Sequence, residues 1–197
     1  VATFEFPHLL NLVEGKQFDT IYHEHFSYLS LIAVKNIFLK SKLRIYNVEE
    51  IKTHGGSLRI FGCHQESNIK TQDCVNNVIN KEINFGLDQI ETYYGFQKKV
   101  NLIKKNFLSF LIEKKNLGKK VVAYGAAAKG CTLVNYSGLK SDLIEYVCDA
   151  AKSKQNKYMP GSHIPILNPE QILIDKPDFI IILPWNLSEE ISNQLSY

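Results

Sequence analysis

The feature that most constrains the fold is an apolar run that leads into a glycine-bounded turn and then a helical pattern. Lys120–Tyr124 predicts a strand, and Gly125-Ala-Ala-Ala-Lys-Gly130 follows it as a turn of small residues that opens a helix. Leu143–Cys148 predicts the next strand, which ends in Asp149. A strand, a tight turn, a helix and a second strand form the unit of a parallel sheet, so the pattern predicts an α/β fold.

This glycine-bounded turn is also a candidate ligand site. The free N–H groups at a helix N-terminus favour anions, and an acidic residue about twenty positions later can bind a ribose hydroxyl. Because the strand predicted over Pro177–Pro184 ends at Trp185-Asn186, we expect Gly125, Lys129, Asp149, Trp185 and Asn186 along one edge of the sheet. The turn lacks the G-x-G-x-x-G spacing, and tight packing of helix on strand also requires small residues.

The first part of the chain predicts a second, incomplete α/β region. Its predicted elements are strands over Val1–Phe6, Leu43–Val48 and Ser57–Cys63 and a helix from about Ser27 to Lys42, with Leu29, Ala33, Ile37 and Phe38 on one face. Thr71–Gly118 has helical spacing throughout, and the prolines and glycine of Lys154–Pro165 predict a rigid loop without helix or strand.

The composition excludes several classes of function. The chain has 197 residues, 45% hydrophobic and 22% charged, with a net charge of +3, which gives no argument for nucleic acid or membrane as a partner. Its four cysteines are scattered without a C-x-x-C pair, so we expect neither a metal site nor a disulfide framework, and a cytoplasmic location. No apolar run reaches membrane-spanning length.

A second cluster of chemically active side chains lies near the start, in Asp19-Thr-Ile-Tyr-His-Glu-His-Phe-Ser-Tyr28. Imidazole titrates near neutral pH, and a neighbouring carboxylate or phenol can orient it or share its proton. The cluster therefore predicts proton transfer. A polar turn whose histidines hydrogen-bond and cap the next helix is the alternative interpretation.

Five motifs in order resemble one enzyme family. They are Phe18-Asp-Thr-Ile-Tyr-His-Glu-His25, His54-Gly-Gly-Ser-Leu-Arg59, Ala123-Tyr-Gly-Ala-Ala-Ala-Lys-Gly130, Pro160-Gly-Ser-His-Ile-Pro165 and Leu183-Pro-Trp-Asn186. The ordered set resembles the C-terminal part of the S-adenosylmethionine-dependent C-methyltransferases that act on nucleotide-linked deoxysugars. The resemblance covers essentially the whole chain, and its specificity lies in the order of the motifs.

The resemblance implies a domain plan. Residues 1–68 would be the last part of a Rossmann-like methyltransferase domain, 69–118 a helical connector and 119–197 a C-terminal Rossmann-like domain. Family members also carry a zinc-binding N-terminal domain. This chain departs from the family pattern, because it has no zinc-ligand cysteine set and no glycine-rich loop for S-adenosylmethionine, so the cofactor site is expected largely outside it.

The resemblance also assigns roles to residues. His25 would be the base that removes a proton beside the substrate ketone, with Tyr22 as its acid or hydrogen-bonding partner and Glu24 orienting the pair. The contacts to the nucleotide sugar would come from His54, Arg59, Gly125, Lys129, Asp149, Trp185 and Asn186, with His23 as a further possible contact.

Two other functions stay open at this point. The chain could be a stand-alone nucleotide or nucleotide-sugar binding module without chemistry. It could also be an oxidoreductase that uses the C-terminal Rossmann-like region, although the unorthodox glycine turn argues against this.

Overall fold

The computed structural model describes residues 1–196, apart from the side chain of His54. Contacts divide the chain into two units. The N-terminal unit comprises Val1–Gln17 and Glu24–Lys99, and the C-terminal unit comprises Phe18–His23 and the chain from Val100 onward. A short piece of the N-terminal sequence thus belongs to the C-terminal unit. The three-domain plan expected from the sequence stays a prediction.

The N-terminal unit is built on a three-stranded antiparallel sheet with helices beside it. The strands are β1 (Ala2–Pro7), β2 (Leu43–Ile51) and β3 (Ser57–His64), and the helices are α1 (Leu9–Glu14), α2 (Leu31–Lys40), α3 (Asp73–Phe85) and α4 (Glu91–Tyr94). The order in the sheet is β1-β3-β2, with both pairs antiparallel. Apolar and polar side chains alternate at the start of β3, where Leu58 and Ile60 are fully buried in the core.

Helix α2 differs from its prediction in start and in buried face. It begins at Leu31, four residues later than expected, because Ser30 caps it by accepting a hydrogen bond from the Ala33 N–H at 3.1 Å. The buried residues are Leu31, Val34 and Phe38, whereas Ile37 is 53% exposed. The apolar positions of this helix span two neighbouring stripes, and docking on the sheet selects one of them.

A buried carboxylate ties α3 to the start of α2. Glu82 is fully buried and accepts hydrogen bonds from the backbone N–H groups of Leu31 and of Ile32, the latter at 2.8 Å. Its Oε1 also lies 2.7 Å from Nε2 of the buried His8. The carboxylate therefore satisfies donors of the first helical turn and complements the positive end of the helix dipole.

The C-terminal unit is built on a five-stranded sheet in the order β6-β7-β5-β4-β8. Its strands are β4 (Val121–Tyr124), β5 (Val147–Cys148), β6 (Lys157–Tyr158), β7 (Pro165–Leu167) and β8 (Phe179–Ile182), and its helices are α6 (Ala128–Ser137), α7 (Glu170–Asp175) and α8 (Ser188–Gln194). Helix α5 (Phe96–Asn116) spans the boundary between the units. β4 pairs in parallel with β5 and β8, and β5 with β7. The predicted α/β class with a Rossmann-like C-terminal region is confirmed.

Two details of this sheet differ from the prediction. β5 begins at Val147 rather than Leu143, because residues 141–144 form a turn. The prediction of a strand-free loop over Lys154–Pro165 is wrong, since β6 pairs antiparallel with β7. Pro165 is the first residue of its strand, where a missing N–H costs no hydrogen bond in the ladder.

The glycine turn after β4 requires a residue without a side chain. Gly125 has φ of 92°, and a Cβ built on it would lie 2.4 Å from Cδ of Pro184. Gly125 N–H donates to the Cys148 carbonyl at 2.7 Å, which holds the turn against the end of β5. Both the backbone conformation and the approach of Pro184 therefore favour glycine.

The structure also bears on membrane insertion. No helix within residues 1–196 combines the length and the apolar character that crossing a bilayer requires.

Gly125→Ala should destabilise the chain more than Gly138→Ala. Gly138 has a positive φ of 71° and open space around its Cβ position, so alanine there carries only the backbone cost of about 1–2 kcal/mol. At Gly125 the collision with Pro184 adds about 1–3 kcal/mol. Urea unfolding followed by circular dichroism measures both variants, and equal losses would contradict the close packing against Pro184.

Glu82→Gln should lower the free energy of unfolding by about 1.5–3 kcal/mol, because the neutral amide replaces a charged acceptor of buried hydrogen bonds. The matched control is Glu50→Gln, whose half-exposed carboxylate pairs with Lys81 at 2.7 Å and should contribute under about 1 kcal/mol. Denaturant unfolding of both variants provides the comparison. A loss at Glu82 no larger than that at Glu50 would refute the capping role.

Candidate functional site

The motif Phe18–His25, which we call the histidine motif, lies in an irregular segment between α1 and α2. Residues Phe18–Thr20 form a 3₁₀ turn, and the chain then turns again at 22–24 before running extended towards the cap of α2. Glu24 is exposed, whereas His25 is half-buried with its ring edge-on to Tyr28 at a centroid distance of 6.4 Å. Glu24 and His25 belong to the N-terminal unit, and the half-buried Tyr22 belongs to the C-terminal unit. Their catalytic partnership stays a prediction.

Two further predicted contacts lie near the hairpin between β2 and β3. The backbone of Thr53–Gly55 forms a 3₁₀ turn, but the side chain of His54 lies outside the described residues. The Arg59 guanidinium donates to Glu5 at 3.0 Å and to Glu49 at 3.4 Å. A phosphate at Arg59 would therefore compete with two carboxylates, in an exposed setting where each ion pair is weak.

The remaining predicted residues come together at the carboxyl edge of the C-terminal sheet. Gly125 follows β4, Asp149 follows β5, and Trp185 follows β8 after a turn of two residues. These three strands are parallel, so their ends meet at the same edge, where ligands bind in open α/β sheets. The predicted grouping of these residues agrees with the structure, and their role in binding is not tested by it.

Asp149 fastens the glycine turn to the end of β5. Its Oδ2 accepts a hydrogen bond from the Ala126 N–H at 2.7 Å, and its Oδ1 accepts one from the Ala151 N–H at 2.8 Å. Lys154 lies 3.1 Å from the same carboxylate. These bonds give Asp149 a structural role beside the predicted contact with a ribose hydroxyl.

Lys129 lies in the first turn of α6 under the side chain of Trp185. Its ammonium donates to Oδ1 of Asn186 at 2.7 Å and sits 4.6 Å from the centre of the indole. The indole N–H in turn donates to Oδ2 of Asp19 at 2.6 Å. We call these four residues, Asp19, Lys129, Trp185 and Asn186, the indole cluster, and all four belong to the C-terminal unit.

Burial shifts the pKa of both charged members of the indole cluster. Desolvation raises the pKa of the Asp19 carboxyl, against the opposing effects of the Trp185 hydrogen bond and the Lys129 charge. Desolvation likewise lowers the pKa of the Lys129 ammonium, and the Asp19 charge partly restores it. An anion bound near Lys129 would therefore favour the charged form of the lysine.

The N-terminus of α6 adds backbone donors to this edge. No side chain caps the helix at Ala127, and the first intrahelical bond runs from the Cys131 N–H to the Ala127 carbonyl at 3.0 Å. The amides of the first turn thus have no helical acceptor, and the partly exposed Ala128 carries one of them. Backbone donors and a buried cation together suit a phosphate group.

Asp19 is the one member of the indole cluster that the sequence did not single out as a site residue. The motif that contains it was noted for its histidines and phenols, and its carboxylate contacts a tryptophan 166 positions later. Nothing in the local pattern indicates that contact. The available signal was its place at the head of the motif, next to the apolar Phe18.

Comparison with known proteins agrees with the resemblance seen in the motifs. The profile of the family described as "C-methyltransferase C-terminal domain" matches residues 52–197. The chain is also 34% identical over 187 residues to "C-methyltransferase NovU" from Streptomyces niveus, a match that covers 95% of this chain and 44% of the relative. The chain thus spans less than half the length of that relative. On both grounds, it belongs to the C-methyltransferase C-terminal domain family.

Proposed function

We propose that this chain is the substrate-side part of an S-adenosylmethionine-dependent C-methyltransferase that acts on a nucleotide-linked keto-deoxysugar. The observation that carries the proposal is the carboxyl edge of the C-terminal sheet, where an uncapped helix N-terminus and the Lys129 ammonium lie together. Membership of the C-methyltransferase family supplies the reaction class. A diphosphate is the part of such a substrate that this edge suits.

The nucleotide part of the substrate is assigned to the glycine turn. Phosphate oxygens would accept from the amide of the partly exposed Ala128, while the buried side chain of Lys129 supplies positive charge. Gly125 keeps the turn close enough for a ligand to approach the backbone. Asp149 suits a ribose hydroxyl better than a phosphate, because its own charge repels anions. Trp185 and Asn186 hold the lysine in place.

The chemical step is assigned to the histidine motif. His25 takes a proton from the carbon beside the ketone, and the electron pair of that C–H bond moves into the enolate. Tyr22 donates a hydrogen bond to the developing enolate oxygen, and Glu24 orients the base. A positioned base of this kind typically accelerates proton removal by roughly 10²–10⁴-fold. His54 and Arg59 are assigned as further contacts to the substrate.

S-adenosylmethionine would supply the electrophilic methyl group that the enolate carbon attacks. The sequence of this chain contains no glycine-rich loop that would hold it, so we assign the donor site to a further part of the protein. The edge of β1 suits that part, because among the described residues β1 pairs with β3 alone. Phe4, which lies within β1, is 51% exposed.

A nucleotide-binding module without chemistry is the second candidate. It is supported by the uncapped N-terminus of α6 and the Lys129 ammonium, which suit an anion without requiring any chemical step. The two candidates differ in whether the chain activates the substrate carbon.

Lys129→Gln should weaken the binding of thymidine diphosphate by about tenfold or more, since a charge-assisted contact contributes roughly 1.5 kcal/mol. Titration calorimetry on the chain measures this, with S-adenosylmethionine as a second ligand that we expect not to bind. The matched control is Lys176→Gln, which removes an exposed lysine at the C-terminal end of α7, before the chain enters β8. Equal affinities of the wild type, Lys129→Gln and Lys176→Gln for thymidine diphosphate would contradict a nucleotide site at this edge.

His25→Ala should abolish the base-dependent exchange of the substrate α-proton with solvent. The chain is incubated in D₂O with a thymidine-diphosphate-linked keto-deoxysugar, and proton NMR follows the loss of the α-proton signal without a methyl donor. We expect the variant to be slower by roughly 10²–10⁴-fold. Tyr22→Phe should also be slower, whereas the exposed His64→Ala should match the wild type. Nucleotide binding with equal exchange in wild type and His25→Ala would favour the binding module.

A further inference from the structure

The first three residues of the histidine motif, Phe18–Thr20, are buried in the C-terminal unit. All three residues of its 3₁₀ turn are under 10% exposed, and the turn is closed by a hydrogen bond from the Ile21 N–H to the Phe18 carbonyl at 3.0 Å. The Phe18 ring packs on Tyr136 of α6 at a centroid distance of 5.1 Å. The hydroxyl of Tyr136 donates a hydrogen bond to the side-chain oxygen of Asn101 at 2.6 Å. The segment thus packs on α6, whose Tyr136 is hydrogen-bonded to α5.

The buried carboxylate of Asp19 stands out in this docked segment. An apolar residue beside Phe18 would pack without the desolvation cost of a carboxylate. Asp19 instead meets the indole N–H of Trp185 at 2.6 Å, and the ammonium of Lys129 lies across the same ring. This hydrogen bond therefore adds a directional contact to the packing of Phe18 on Tyr136.

We propose that Asp19 is a positioning residue, which holds the Phe18–His23 segment and with it Tyr22 in place by accepting the indole N–H of Trp185. Tyr22 follows Asp19 by three residues and lies in the same unit. The effect of Asp19 on the reaction rests on the proposed function, whereas its effect on the position of the segment does not.

The same arrangement links Tyr22 to the nucleotide site. Trp185 contacts Asp19 through its N–H and Lys129 through its ring face, so one side chain sets the position of both groups. Asn186, the next residue, accepts a hydrogen bond from the ammonium of Lys129. The Leu183-Pro-Trp-Asn186 motif thus positions two charged groups, the carboxylate of Asp19 and the ammonium of Lys129.

The first arm of the test concerns position alone. Trp185 is the only tryptophan, so its indole N–H gives a single, directly assigned cross-peak in a proton–nitrogen NMR spectrum. Asp19→Ala should move that peak upfield and raise the hydrogen–deuterium exchange of backbone amides in 18–23 by about tenfold, the loss expected for one hydrogen bond. Trp185→Phe should raise the same amide exchange. Asp19→Asn, whose amide oxygen still accepts the N–H, should restore the wild-type protection, and Asp142→Ala on an exposed turn should match the wild type.

The second arm uses α-proton exchange of the keto-deoxysugar nucleotide. Asp19→Ala should lower the maximal exchange rate by roughly 10–100-fold, the range expected when a reacting group is misplaced, while thymidine diphosphate affinity changes less than about threefold. Asp19→Asn should recover most of the rate. The proposal is overturned if Asp19→Ala keeps full protection of 18–23, or if Asp19→Asn loses as much as Asp19→Ala. Absence of exchange by the wild type would instead overturn the proposed function, and the first arm would still decide the role of Asp19.

Discussion

The parallel pairing of β4 with β5 and β8 is the constraint on which the candidate site depends. Parallel strands deliver their carboxyl ends to one edge, and here each of the three ends leads into a residue that the site uses. The pairing requires close packing, because Gly125 lies against Pro184 and any side chain there would collide with it. Sheet geometry thus brings these residues and the N-terminus of α6 to one edge, where we propose the anion site.

Both units contain buried charged side chains, and these side chains have different surroundings in the two units. In the N-terminal unit, Glu82 satisfies backbone donors at a helix start, which is a structural use of a carboxylate. In the C-terminal unit, Asp19 and Lys129 are both desolvated, and each shifts the pKa of the other back towards its ordinary value. Such opposed shifts are typical of functional sites, although structural networks also produce them.

Local patterns predicted most of the helices and strands because hydrophobic periodicity and glycine positions report directly on backbone geometry. Gly86 and Gly138 both lie at the ends of helices with positive φ, as a left-handed cap requires. The two failures have different causes. Ile37 was expected on the same face as Phe38 but is exposed, because docking on the sheet selects one of two neighbouring apolar stripes. β6 forms where a loop was expected, because its two residues pair with β7 a few positions later, and so short a strand has no apolar alternation of its own.

The α/β class, the family and the residues that gather at the carboxyl edge could all be predicted from the sequence, since these follow from the order of short motifs and from the rule that parallel strands end together. Tertiary structure alone decided that Asp19 contacts Trp185 and that Phe18–His23 belongs with the C-terminal unit. The physical reason is distance along the chain. A hydrogen bond between residues 166 positions apart leaves no periodic trace near either partner, and only packing brings the carboxylate and the indole together.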